Sequence, residues 1–152
     1  MQRLTIALCA GLMLYASISF GADASEQRNR QFQKAEALYL SGRLKEAASS
    51  FDELSKKFPN DARVWLKYGN TLTKLGRYDE AASAFQSALN VDPSQGGAAL
   101  NQALVRLMQA QASLDEALTR LPAESAERAQ AQGLQQQLNA LLGPQEKTPS
   151  RH

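Results

Sequence analysis

Cysteine and histidine are almost missing from this chain. Its 152 residues hold one of each, Cys9 and His152. Cys9 lies in an apolar N-terminal run and His152 is the last residue, so the stretch between them offers no imidazole and no thiolate. That excludes the usual transition-metal ligand sets and the usual nucleophile–base pairs. One cysteine forms no internal disulfide, so stability must come from packing. Aromatics make up only 7% of the chain, and no stretch sustains a period-two alternation, which argues against a sheet. Charge of one sign is also scarce. The net charge is +2 with both signs interspersed, so there is no electrostatic footprint for nucleic acid. No phosphate-cradling loop is in sight, because Gly96-Gly97 follows a helix-ending proline and not a strand. The paired acids Asp52/Glu53, Asp79/Glu80 and Asp115/Glu116 fall near helix starts or on polar faces, where water or the helix dipole accounts for them. The inventory therefore predicts neither an enzyme nor a cofactor.

What is present favours helix. Hydrophobic residues are 43% of the chain, and alanine, leucine and glutamine are abundant. The length suffices for one domain with a real core. The first 24 residues stand apart. Arg3 precedes a charge-free run from Leu4 to Phe20, followed by Ala22-Asp23-Ala24. That order is the pattern of a secretory signal peptide, with cleavage expected after Ala24 and Gly21 as the second choice. The run is about the minimum length for a membrane span, and the small-residue site argues for removal, after which no span is expected. Leu8 precedes Cys9, too early in the run for a lipoprotein site.

From residue 25 to 142 the spacing of apolar residues predicts an all-α domain. Phe32, Ala35, Leu38 and Tyr39 share one helix face, and Gly42 ends that helix. Leu44, Ala47, Ala48, Phe51 and Leu54 mark the next, closed by Pro59. The decisive signal is internal repetition. Gly42 to Phe51, GRLKEAASSF, and Gly76 to Phe85, GRYDEAASAF, agree at seven of ten positions with an offset of 34. Leu38/Leu72 and Pro59/Pro93 repeat at the same offset. Helix pairs with this period stack into an array, each burying its face on the next.

Residues 28–61 and 62–95 resemble tetratricopeptide repeats. The second carries the signature as Trp65, Tyr68, Gly69, Leu72, Ala81, Phe85, Ala88 and Pro93. The first carries it as Ala35, Leu38, Ala47, Phe51 and Pro59 and departs with Gln31, Lys34 and Leu54. Residues 96–123 resemble a degenerate third unit built of two helices, the second opened by a capping box at Ser113-Leu114-Asp115-Glu116. A capping helix is expected over 124–142, and 143–152 reads as a disordered tail. The resemblance implies helix pairs stacked as a short right-handed solenoid. The tryptophan, glycine and phenylalanine of the signature are packing residues there.

In that family the first helices of the units line a concave groove that receives a protein or peptide. The groove positions map here onto Asn29, Phe32, Glu36, Tyr39 and Leu40 in the first unit, and onto Arg63, Leu66, Asn70, Thr73 and Lys74 in the second. Lys67 lies one turn from Arg63 on the same face. The resemblance implies an apolar patch beside a basic stripe able to hold a carboxylate. The lysine–asparagine clamp by which some members hold a C-terminal carboxylate is absent as a set. The family resemblance also implies an exported, periplasmic bacterial protein, accessory to an envelope or secretion assembly. A rival reading is a homodimer. Its seam would be the stripe Leu134, Leu138, Leu141 and Leu142 on the glutamine-rich last helix.

Overall fold

The computed structural model describes residues 25–143. The expected signal segment and the tail beyond Gly143 lie outside the described residues. Six helices follow in order: α1 over 25–40, α2 Leu44–Lys57, α3 Ala62–Lys74, α4 Tyr78–Val91, α5 Gly96–Arg120 and α6 Ala126–Leu142. Among the described residues there is no strand, and no helix is long and apolar enough to cross a membrane. Each helix packs on its neighbours in sequence, and α3 also touches α5 past α4. The result is an all-α solenoid of stacked helix pairs.

The 34-residue period is written into the turns. Gly42 and Gly76 both have positive φ, 76° and 72°. Around each, the same two bonds close the helix. Gly42 N–H donates to Tyr39 O at 3.2 Å and Arg43 N–H to Leu38 O at 3.0 Å. Gly76 N–H donates to Thr73 O at 3.0 Å and Arg77 N–H to Leu72 O at 3.0 Å. This is the double bond of a Schellman cap, which needs a residue at ease in the left-handed region. The side chains repeat too. Arg43 Nε donates to Glu46 Oε1 and Arg77 Nε to Glu80 Oε1, each at 2.7 Å.

The third unit departs from expectation at this very device. A helix pair with a break before Ser113 was expected, yet α5 runs unbroken through 25 residues. One more step of 34 from Gly76 lands on Ala110. Alanine disfavours the left-handed turn and propagates the helix, so the chain continues until Pro122. The Ser113-Leu114-Asp115-Glu116 box therefore lies inside a helix and caps nothing. Arg128 of α6 closes the end instead, donating from Nη1 to Leu118 O at 2.6 Å and Leu121 O at 2.9 Å. Ser125 opens α6, accepting from Arg128 N–H at 3.1 Å.

The core forms two connected clusters. One joins Ala35, Ala47, Phe51, Leu54 and Val64, with Phe32 edge-on to Phe51 at 5.8 Å. The other joins Leu72, Ala81, Ala82, Ala84, Phe85 and Val105. The departing residues of the first unit divide, since Gln31 and Lys34 are exposed while Leu54 is buried. Trp65 and Tyr68 are half-buried against the second cluster, and Trp65 Nε1 donates to Pro59 O at 2.8 Å. The tightest point is Gly69 in α3. A Cβ there would meet three ring carbons of the fully buried Phe85 at 2.6 to 2.9 Å. Gly69→Ala should therefore destabilise the protein by ~1–3 kcal/mol through overpacking. Gly133→Ala in α6, where a Cβ meets nothing within 4 Å, should stabilise it by ~0.5–1 kcal/mol through helix propensity. Denaturant midpoints of the two variants check the opposite signs.

Candidate functional site

Helices α1, α3 and α5 lie side by side, so one face of α3 looks along a groove bounded by the other two. Spacing puts Arg63, Leu66, Lys67, Asn70, Thr73 and Lys74 on that face. The structure brings the expected groove residues of the first two units together as a ladder. The Arg63 guanidinium sits over the Phe32 ring at 5.6 Å. Lys67 Nζ pairs with the Glu36 carboxylate. Lys74 Nζ lies over the Tyr39 ring at 4.5 Å. On the other flank, Asn101 Nδ2 of α5 donates to Asn70 Oδ1 at 2.7 Å.

These contacts change the electrostatics expected of the site. Every cation of the basic stripe already has a partner. Arg63 is the clearest case. Its Nε donates to Asp61 Oδ1 at 3.1 Å and its Nη2 to Asp61 Oδ2 at 2.9 Å. Asp61 also caps α3, accepting from the Arg63 backbone N–H at 3.1 Å, and Arg28 Nε stands 3.6 Å away. The Asp61 side chain is only 9% exposed. The hydrogen bond from the Arg63 side chain holds this carboxyl below the usual aspartate range, against the opposing effect of burial. The same bond raises the Arg63 guanidinium. Lys67 is two-thirds covered by its contact with Glu36 and its surroundings. A ligand carboxylate would have to compete with contacts already made. Thr73 is also engaged, its hydroxyl donating to Gly69 O at 2.8 Å.

What the groove offers is apolar surface. A hollow of about 200 Å³ opens between Tyr39, Asn70, Lys74, Leu104 and Met108, with Phe85 at its floor. Leu104 is 39% exposed, Leu100 one turn earlier 62%, and Leu40 on α1 78%. Leu66 is less available, being half-buried against the second core cluster. The α5 residues Leu100, Leu104 and Met108 were missing from the expected site. The signal was present nonetheless. Leu66, Asn70 and Lys74 advanced by 34 give Leu100, Leu104 and Met108. The weak signature of the third unit hid a register that its first helix keeps.

With that geometry in place, comparison with known proteins identifies the repeat. Residues 32–99 match the family profile described as Tetratricopeptide repeat. These residues are tetratricopeptide repeats. A relative in Salmonella typhimurium, Cellulose synthase operon protein C, is 32% identical over 94 residues. The match covers 61% of this chain but 8% of that much longer protein. Among solved structures, PcrH in complex with the chaperone binding region of PopD aligns with a TM-score of 0.55 at 20% identity, covering 78% of this chain and 96% of that one. The Yersinia enterocolitica type III secretion chaperone SycD, in complex with a peptide of the translocator YopD, aligns with a TM-score of 0.54 at 19% identity, covering 76% and 94%. At these identities the structural likeness is one of fold.

Asp61 yields a test of the groove's scaffold. Its carboxyl titrates lower folded than unfolded, so its contribution is complete above the usual aspartate range, near pH 4. That contribution is lost as pH falls through the lowered folded value. Asp61→Asn keeps a capping side chain but cannot ionise. The stability advantage of the native protein over Asp61→Asn should be constant at neutral pH and shrink as pH drops below about 4. Asp61→Ala should lose about 1 kcal/mol more broadly, through the missing cap. Thermal melts across pH measure both.

Proposed function

We propose that this protein binds a segment of another protein in the groove between α1, α3 and α5, as a scaffold or adaptor and not as a catalyst. The segment is held chiefly by apolar side chains. The observation that carries this reading is the hollow floored by Phe85 and walled by Tyr39, Leu104 and Met108, with Leu40 and Leu100 exposed on the same helices, α1 and α5. Asn70 and Asn101 spend one amide group each on their mutual bond. Both side chains line the hollow and suit a ligand backbone, since a carboxamide both donates and accepts. The expected site residues Phe32, Glu36, Arg63 and Lys67 then serve to hold the ladder in shape, while Thr73 lines the hollow with its hydroxyl bonded within α3. Tyr39, Lys74, Asn70 and, to a lesser degree, Leu66 remain in reach of a ligand. PcrH and SycD, which share the fold, are each seen in complex with a segment of another protein, and that supports a protein segment as the ligand.

Export is part of the proposal. The charge-free run from Leu4 to Phe20 and the Ala22-Asp23-Ala24 site support a periplasmic location. An accessory role in an envelope or secretion assembly fits it, and the match to a cellulose synthase operon protein is consistent with such a setting. Mass spectrometry of the exported protein should then give Ser25 as the first residue.

Partner recovery from envelope extracts tests the groove. Leu100→Gln and Leu104→Gln should each weaken binding roughly tenfold, the value of one buried leucine contact. Arg63→Gln should leave it nearly unchanged. The opposite pattern, with loss on Arg63→Gln and on Lys74→Gln only, would show that the groove reads charge. Equal recovery on all variants would remove the groove from the function.

A further inference from the structure

The array ends abnormally. Repeat arrays close with a polar outer face, but the α5–α6 pair carries an open apolar furrow of about 490 Å³. Leu134, Leu138 and Leu141 of α6 follow one another at i, i+4 and i+7, the spacing of a helix seam. Ala110, Ser113 and Leu114 of α5 form the opposite wall. Leu138, 8% exposed, is the floor, while Leu134 and Leu141 stand 48% and 76% exposed on the rim. The furrow exists because α5 did not stop at residue 110. Its second half and α6 form a hairpin, held by Gln111 Nε2 to Asn139 Oδ1 at 2.9 Å and by Gln135 to Asp115.

The chemistry around it selects the occupant. Residues 107–114 and 129–143 contain no charged side chain. The side chains that line the furrow carry no charge, and Asp115 beside Leu114 is taken up by Gln135. The polar side chains that line it are the Ser113 hydroxyl on the α5 wall and the exposed amide of Gln137. An amide both donates and accepts, so it can pair with its own copy across a two-fold axis, where a lysine or glutamate would repel itself. Residues 144–152, PQEKTPSRH, hold no apolar side chain besides proline and cannot fill the furrow. We infer that the furrow takes the same furrow of a second copy. The two α6 helices then cross antiparallel about a two-fold axis, and each Leu141 enters the hollow over the other's Leu138. This contact is separate from the groove, so the dimer and the groove reading stand or fall independently.

Sedimentation and light scattering of the purified full chain test it. The native protein should have the mass of two chains at micromolar concentration. Leu134→Gln with Leu141→Gln should reduce it to one chain with unchanged helical circular dichroism, since both side chains are exposed in the protomer. Gln137→Glu and Gln137→Lys place a charge against its own copy. Each should weaken the dimer at least tenfold, and the two variants mixed should pair with each other. A single-chain mass for the native protein throughout the micromolar range overturns the inference. So does a dimer that survives the double leucine variant, or one lost instead on Leu100→Gln with Leu104→Gln.

Discussion

The close approach of Gly69 to Phe85 is the contact on which the remaining architecture depends. It fixes the distance between α3 and α4, the most fully expressed helix pair. The neighbouring helices are placed by reference to these two, since α2 packs on α3 and α5 packs on both, and α6 follows by packing on α5. Fully buried Ala81 and Ala88 on α4 belong to the same solution, small side chains where backbones must meet. Protein interiors tolerate little change in volume, so this crossing acts as a rigid reference for the groove on the far side of α3. Phe85 serves twice, filling the crossing and flooring the hollow between α3 and α5.

The groove illustrates how composition and surface chemistry differ. Counted by residue type, α3 presents a basic face. Counted by available valence, it does not. Arg63 is bound in two-pronged fashion by Asp61, Lys67 faces Glu36 across the gap to α1, and Lys74 rests on Tyr39. The pairs that stay open to water add little stability each. Their larger effect is to fix long side chains against neighbouring helices, leaving leucine, methionine and tyrosine as the chemically unspent surface.

Much of this was legible in the sequence, because the repeat reports itself twice. Glycine at 42 and 76, alanine at 47 and 81 and phenylalanine at 51 and 85 each mark a geometric necessity. The groove positions of the first two units came from the family resemblance, mapped onto the chain by the 34-residue register. What could not be read off was partnership. Nothing in the chain order says that Lys67 meets Glu36, 31 residues away, since that depends on how two units stack. The third unit was misread because a capping box is a local signal, and the state of Ser113 is decided elsewhere. Without a glycine at 110 the helix does not end there, and a potential cap is carried through it. The same weak signature concealed Leu100, Leu104 and Met108, although they keep the spacing of the second unit.

The unbroken α5 has a mechanical meaning. At 25 residues it is ~37 Å long, at 1.5 Å per residue. Its first half forms one wall of the groove and its second half one wall of the terminal furrow. Leu104 and Leu114 lie ten residues apart, ~15 Å along one axis. A broken pair of helices would hinge between those points. A continuous rod does not, so a small tilt forced at one end becomes a lateral displacement at the other, as in a beam pivoted on the Val105 packing near its middle.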